Sequence, residues 1–318
     1  MSDILCFGEA LIDMRGEQGE GGVHYVPQPG GAPANVAVGV ARLGGRAGFV
    51  GQVGNDVFGQ TIVRALAGYG VDTSRLAMSD SALTALAIVS LDDQGERSFS
   101  FYRNATADLL YRPDQLPESA LGASRIFHLC SNTLTEPAIR ETSQHLMARA
   151  RQAGCLVSFD VNFRPGLWPA WQEAPEIIGQ IARQADIVKF SREELEQLYG
   201  ENAGAVPDTL QEQGVPLVVV SDGAATLRAF AGREPLLIEP PRVRAVDTTA
   251  AGDSFVAGLL FRLWQDRVSG AGFRQWLTSE GVLADALKFA SRCGAITATR
   301  FGAFDALPEP KDLKAFSK

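Results

Sequence analysis

Val246-Asp247-Thr248-Thr249-Ala250-Ala251-Gly252-Asp253-Ser254 reads as a strand end, a tight turn of small residues and the start of a helix carrying an acid. Residues 236–238 and 243–246 are strand-like and are broken at Pro240 and Pro241. Beyond the turn, Phe255, Val256, Leu259, Leu260 and Leu263 recur at helical spacing. Small residues let backbone approach a ligand. The first N–H groups of the helix, with its dipole, attract an anion. An acid at that place has two readings: Asp253 or Ser254 caps the helix, or Asp253 is a general base beside a phosphoryl group.

The chain has 318 residues, 46% of them hydrophobic, enough for a large core in one or two domains. A formal charge of −8 without a Lys/Arg cluster argues against nucleic acid. No apolar run approaches a membrane span and no leader precedes the first strand, so a cytoplasmic setting is expected. Cys6, Cys130, Cys155 and Cys293 are far apart among apolar neighbours and read as buried thiols; His24, His128 and His145 lack metal-ligand spacing.

Strand-like runs at 3–7, 47–53, 125–129, 156–160, 187–190, 216–221 and 227–231 alternate with helical segments at 34–43, 58–67, 136–153, 171–182, 193–199 and 282–299. That alternation predicts a layered α/β sandwich around a mostly parallel sheet. Two segments, 14–29 and 82–105, break the rhythm; the second holds apolar runs at 85–91 and 98–102 around Asp92-Asp93-Gln94-Gly95. A turn of that kind predicts a hairpin in a small separate sheet. Only the tail after Pro308 reads as separable, so residues 1–318 are expected to form one domain.

Four further clusters carry polar residues to strand ends. Asp13, in Phe7-Gly8-Glu9-Ala10-Leu11-Ile12-Asp13, falls near the carboxyl end of the first strand, where open α/β sheets bind ligands; a solvated turn acid fits the same letters. Gly30-Gly31-Ala32-Pro33-Ala34-Asn35 opens a helix with Asn35 in its first turn. Asp160, Asn162 and Arg164 alternate after the fourth strand and would share one side if it continued. Arg164 there is suited to neutralising a migrating phosphoryl group, or belongs to a satisfied polar cluster. In Lys189-Phe190-Ser191-Arg192-Glu193-Glu194, Ser191 and Glu194 fit a capping box. No P-loop and no Gly-x-Gly-x-x-Gly with a downstream acid is present.

Taken in order, these motifs resemble the PfkB, or ribokinase-like, carbohydrate kinases, from Gly8 to about Leu307. The C-terminal stretch is similar to Asp-Thr-x-Gly-Ala-Gly-Asp and departs from it at Ala250, where the family usually has glycine; Ser191 stands where it usually has asparagine. The resemblance implies a ribokinase-like three-layer sandwich with a β-sheet lid, and an ATP-dependent sugar kinase most like the fructokinases. Asp253 would be the base, with Ala250, Ala251, Gly252 and Arg164 at the phosphoryl group. Asp13, Gly31, Asn35, Phe101, Arg103, Asp160 and Asn162 would hold the sugar. Lys189, Ser191, Ser221, Gly223, Thr248, Gly252, Ala290 and Gly302 would line the nucleotide site. Glu194 would hold Mg²⁺ through water, and Asp247 and Thr249 mark a candidate K⁺ site. A homodimer through the lid is implied. Fructose is the first expectation for substrate, ahead of 2-keto-3-deoxygluconate and a nucleoside; a silent sugar-binding paralogue is the alternative of another class.

Overall fold

In the computed structural model, which describes residues 2–91 and 97–316, thirteen strands and eleven α-helices alternate through most of the chain. The strands are β1 Ile4–Phe7, β2 Leu11–Gly19, β3 Gly22–Gly30, β4 Ala47–Gly54, β5 Asp72–Ser79, β6 Leu86–Leu91, β7 Arg97–Tyr102, β8 Ile126–Cys130, β9 Leu156–Asp160, β10 Ile187–Ser191, β11 Leu217–Asp222, β12 Ala225–Phe230 and β13 Leu236–Ile238. The helices are α1 Ala32–Arg42, α2 Val57–Gly68, α3 Glu118–Gly122, α4 Pro137–Gln152, α5 Ala174–Ala182, α6 Arg192–Tyr199, α7 Val206–Glu212, α8 Ala251–Gln265, α9 Phe273–Thr278, α10 Val282–Ala298 and α11 Pro310–Phe316.

Nine strands form one sheet in the order β13-β12-β11-β10-β9-β8-β1-β4-β5, parallel except for β12, which pairs antiparallel with both β11 and β13. Its central strands, β1, β4, β8, β9, β10 and β11, are buried on both faces, as their unbroken apolar runs require, while β5, β12 and β13 at the edges are partly exposed. Alternate residues feed two cores: Ile4 and Cys6, Leu217 and Val219 face the core shared with α1, α8 and α10, while Leu5 and Phe7, Val218 and Val220 face that of α4, α5 and α6. This is the expected three-layer sandwich. The chain leaves β1 toward β4 on one side and returns through β8 on the other, so the order reverses at β1 and β8. Ligand crevices in open α/β sheets lie at such a reversal.

The remaining strands form a second sheet, β3-β2-β6-β7. The two apolar runs pair antiparallel as β6 and β7, and the expected Asp92-Asp93-Gln94-Gly95 turn lies outside the described residues. Its register sets Gln28, Asp13, Ala87 and Phe101 in one row across all four strands. Neighbours in such a row share a face. Asp13 and Phe101 are therefore on the same side of the lid, 88 positions apart in sequence.

Three expectations need correction. Residues 243–246 are not a strand: Pro240 and Pro241 withhold donors, and the Val246 and Asp247 amides donate instead to the Ala298 carbonyl at 2.7 and 3.2 Å. The strand carrying Asp160 stops there, because Asn162 takes a left-handed φ of 40°, so Asp160, Asn162 and Arg164 do not line one side. The tail after Pro308 is not separable, since α11 buries Leu313 beside Leu43 and Phe261, and Asp312 pairs with Arg300 at 2.9 Å. Edge strand β5 and helices α3, α7 and α9 are additions that the sequence patterning did not predict.

Candidate active site

At the head of α8, Ala250 adopts φ 57° and ψ 8°, the left-handed conformation that turns the chain into the helix. An L-residue with a side chain meets a steric cost of about 1–2 kcal/mol there, partly offset by glycine's larger loss of chain entropy. That conformation explains why glycine suits the position. Ala250→Gly is expected to stabilise by somewhat under about 1 kcal/mol, read as a melting temperature roughly 1–2 °C higher, with kcat unchanged or raised. A lower melting temperature would show that the methyl contributes more packing than strain.

The next residues form the first turn. The Ala251 amide donates to the Thr248 carbonyl at 3.2 Å, which leaves the anion-facing role to Gly252 and Asp253. A Cβ on Gly252 would lie 3.2 Å from Lys189 Nζ, so a buried ammonium borders this turn. Asp253 is only 9% exposed, and its Oδ2 accepts from Asn35 Nδ2 at 2.7 Å. Neither Asp253 nor Ser254 uses its side chain to cap α8. Burial, and then the Asp160 carboxylate, push the Asp253 pKa up to about 7, against the opposing pull of Asn35, Lys189 and Arg164.

Strand alternation brings the charges here. Ile187 faces the α8 side of the sheet and Val188 the other, so Lys189 returns to the α8 side; Asp160 is its direct partner on the neighbouring strand. Lys189 Nζ lies 3.0 Å from Asp160 Oδ1 and donates to Oδ2 at 3.3 Å, with both side chains buried. Burial alone would lower the lysine pKa, but Asp160 and Glu194 outweigh it and hold the group above its usual range. Arg164, its side chain 48% exposed, places Nη1 3.9 Å from Glu194 Oε1. Glu194 and Ser191 complete the capping box of α6: the Ser191 amide donates to Glu194 Oε2 at 2.7 Å, and the Glu194 amide to Ser191 Oγ at 3.1 Å. One carboxylate oxygen still faces Arg164, which fits an outer-shell role toward Mg²⁺.

Across the crevice, Asp13 is half-buried and its pKa is pushed up to about 7 by burial and then by Glu9. Gly31 is obligatory, since a Cβ there would sit 2.5 Å from the Glu9 carbonyl at a φ of +106°, whereas at Gly30 a Cβ would meet only the Asp13 carboxylate, 2.4 Å from Oδ2. Asn35 projects from the helix that this turn starts. A chain of contacts thus links β2, the β3–α1 turn, α1 and α8: Asp13 lies against Gly30, the Asn35 amide donates to the Gly31 carbonyl at 2.8 Å, and Asn35 reaches Asp253.

The remaining candidates have their own partners. Arg103 is buried, donates Nε to Asp108 Oδ2 at 2.6 Å and Nη1 to Thr135 Oγ1 at 3.2 Å, and so anchors the end of β7. With Phe101, Thr135 and Trp168 it lines a cavity of about 250 Å³ that neither Asp13 nor Asp253 borders. Ala290 is fully buried where α10 crosses Gly258 of α8, so its methyl faces packing rather than a ligand wall. Ser221 Oγ donates to the Phe190 carbonyl at 3.3 Å, and Gly223 follows it with φ 54° at the end of β11. Asp247 clasps two loops: Oδ1 accepts from the Thr249 amide at 2.8 Å and Oδ2 from the Gly302 amide at 3.1 Å. Thr248 supplies the carbonyl that holds Ala251.

Glu9 is a further polar group that the sequence patterning does not single out, 1% exposed and hydrogen-bonded at the sheet's reversal point. An acid inside the apolar run Phe7-Gly8-Glu9-Ala10-Leu11-Ile12 was the available signal.

This centre, a buried acid in the first turn of α8 hydrogen-bonded to Asn35 and bordered by the Lys189–Asp160 pair, has the make-up of a phosphotransferase site. Residues 1–310 match the model of the pfkB family carbohydrate kinases, and the chain belongs to that family. It is 40% identical to fructokinase-1 of Oryza sativa subsp. japonica, over 96% of this chain and 94% of the relative. Among solved structures, a fructokinase with bound ATP from Xylella fastidiosa superposes with a TM-score of 0.93 at 39% identity, covering 99% of this chain and 98% of that one. A fructokinase from Vibrio cholerae O395 in fructose, ADP and calcium ion bound form gives 0.88 at 36% identity, covering 100% of this chain and 99% of that one.

Proposed function

We propose that this kinase transfers the γ-phosphoryl group of ATP to a primary hydroxyl of fructose, giving fructose 6-phosphate. The observation that carries the reading is the buried Asp253 carboxylate, oriented by Asn35 from the sugar side and set in the first turn of α8 on the phosphate side. Full-length likeness to fructokinases supports the choice of sugar.

In this reading Asp13, the Gly31 backbone and Asn35 hold the sugar, with Phe101 on the same lid face as Asp13. Asp253 accepts the hydroxyl proton. Even with its pKa near 7 it is too weak a base to ionise an alcohol outright, so the proton leaves late, as the new oxygen–phosphorus bond makes the hydroxyl acidic. The Gly252 and Asp253 amides, Lys189 and Arg164 oppose the charge on the phosphoryl oxygens. Mg²⁺ bound with ATP would neutralise phosphate charge, with Glu194 holding its water shell. Closure of the lid excludes water and suppresses ATP hydrolysis.

Three companion readings go with it. The Asp247 clasp with Thr249 and Gly302 is a candidate K⁺ environment, tested by rates with K⁺ against Na⁺. Exposed Val23 and Tyr25 on β3 and Tyr102 on β7 support a homodimer through the lid, tested by sedimentation. The four free, buried cysteines support a reducing, cytoplasmic setting, and among the described residues no helix is long and apolar enough to cross a membrane. Coupled ADP release over a panel of fructose, 2-keto-3-deoxygluconate and nucleosides tests the substrate. Fructose should give the highest kcat/KM. A higher value for the acid or a nucleoside would reassign it, and ligand-shifted melting without ADP release would indicate a silent binder.

A further inference from the structure

Glu9 follows β1 at the reversal point of the sheet, and its side chain joins three elements there. Oε1 accepts from the Ala32 amide at 3.2 Å, the first residue of α1, and from Asn132 Nδ2 at 2.8 Å, just past β8. Cys130 Sγ lies 3.6 Å from Oε2. The backbone of Glu9 does a second job, since its carbonyl closes on Gly31 so tightly that no Cβ would fit. From the same helix, Asn35 reaches Asp253. A carboxyl 1% exposed is held there against the cost of burial: desolvation raises its pKa, while Arg103 and Asn132 pull it back.

Burying an acid between the ends of β1 and β8 and the start of α1, when an apolar residue would pack without that cost, implies a compensating role. The hydrogen bonds identify it. Ala32 and Asn132 lie on opposite sides of the sheet's reversal, and Glu9 is the shared acceptor that fixes one relative to the other. We propose that Glu9 is a positioning residue for the sugar: it locks the Gly31 turn and the start of α1 to the end of β8, and thereby sets the Gly31 backbone and Asn35 against Asp253. This rests on the sugar-site reading above. Glu9 acts through Ala32, Gly31 and Asn35, not by touching the phosphoryl group or the nucleotide.

The effect should therefore fall on the sugar and spare ATP. Glu9→Ala is expected to raise the KM for fructose roughly tenfold or more, the loss of a buried charge-assisted hydrogen-bond acceptor, and to lower kcat as well through the Asn35–Asp253 bond, with the KM for ATP changed by less than about threefold. Glu9→Gln retains an oxygen for Ala32 and Asn132 and should recover most of the loss. Unchanged fructose KM in Glu9→Ala, parallel shifts in both KM values, or a glutamine no better than alanine overturns the proposal. If Glu9→Ala does not accumulate as folded protein, Glu9→Asp replaces it: one methylene short, it should weaken fructose binding while Glu9→Gln does not, and the reverse order overturns the idea. Asp13→Asn separates the two levels. If that variant keeps its fructose KM, the sugar site itself is misread and the proposal goes with it; if it weakens fructose while Glu9→Ala does not, only the role of Glu9 falls.

Discussion

Asp253→Asn is expected to lower kcat roughly 10²- to 10⁴-fold while ATP still binds. Asparagine preserves the oxygen that accepts from Asn35, so the geometry of the site should survive and the lost element is the proton acceptor. Near-normal turnover would remove Asp253 from the base role. In the parent enzyme kcat/KM should rise with pH through about 7, where burial and Asp160 set this carboxyl. Stability should move the opposite way. The folded pKa of about 7 lies above the ordinary 3.8, so the folded state holds the proton more tightly. The associated stability is fully present below about 3.8 and is lost as pH rises through about 7. An asparagine carries no charge to bury, so the melting temperature of the variant relative to the parent should climb between pH 4 and pH 8. A difference independent of pH would mean that Asp253 is not desolvated in the folded protein. A gain in stability coupled to a loss of rate is the usual mark of a strained functional group.

The sheet and its helices were legible because their cause is local: apolar runs of strand length between amphipathic stretches leave few other folds. The α8 turn was legible for the same reason, whereas the left-handed conformation of Ala250 came only from the structure. Residues 243–246 misled because apolar content is blind to where hydrogen bonds go, and there the Ala298 carbonyl, 52 residues beyond Val246, takes the amides. Alternation also failed at Asn162, whose tolerance of positive φ ended the period of two that the reading extended. Arg103, expected at the sugar, also holds Asp108, and an ion pair five residues apart leaves no period in the sequence. Glu9 escaped for a related reason. Its partners Ala32 and Asn132 come from separate elements, and nothing in the letters brings them together before the sheet order is known.

Lys189→Met carries the largest expected stability effect, because it strands Asp160. Both side chains of this pair are buried, and removing one partner of a buried ion pair costs about 3–5 kcal/mol. Thermal denaturation should register a fall of about 6 °C or more. Loss of rate in the single variant would be ambiguous, since a misplaced Asp160 disturbs Asp253 as well. The double variant Lys189→Met, Asp160→Asn resolves it. With the stranded charge removed, most of the stability should return, and the Asp253 carboxyl should lose the like charge that raises its pKa along with the ammonium that lowers it. If Lys189 opposes phosphoryl charge beside Gly252, the double variant stays slow although it is stable, and its KM for ATP stays high. If rate returns together with stability, the lysine serves only to neutralise Asp160, and the cationic side of the transfer rests on Arg164, the amides of α8 and the metal that accompanies ATP.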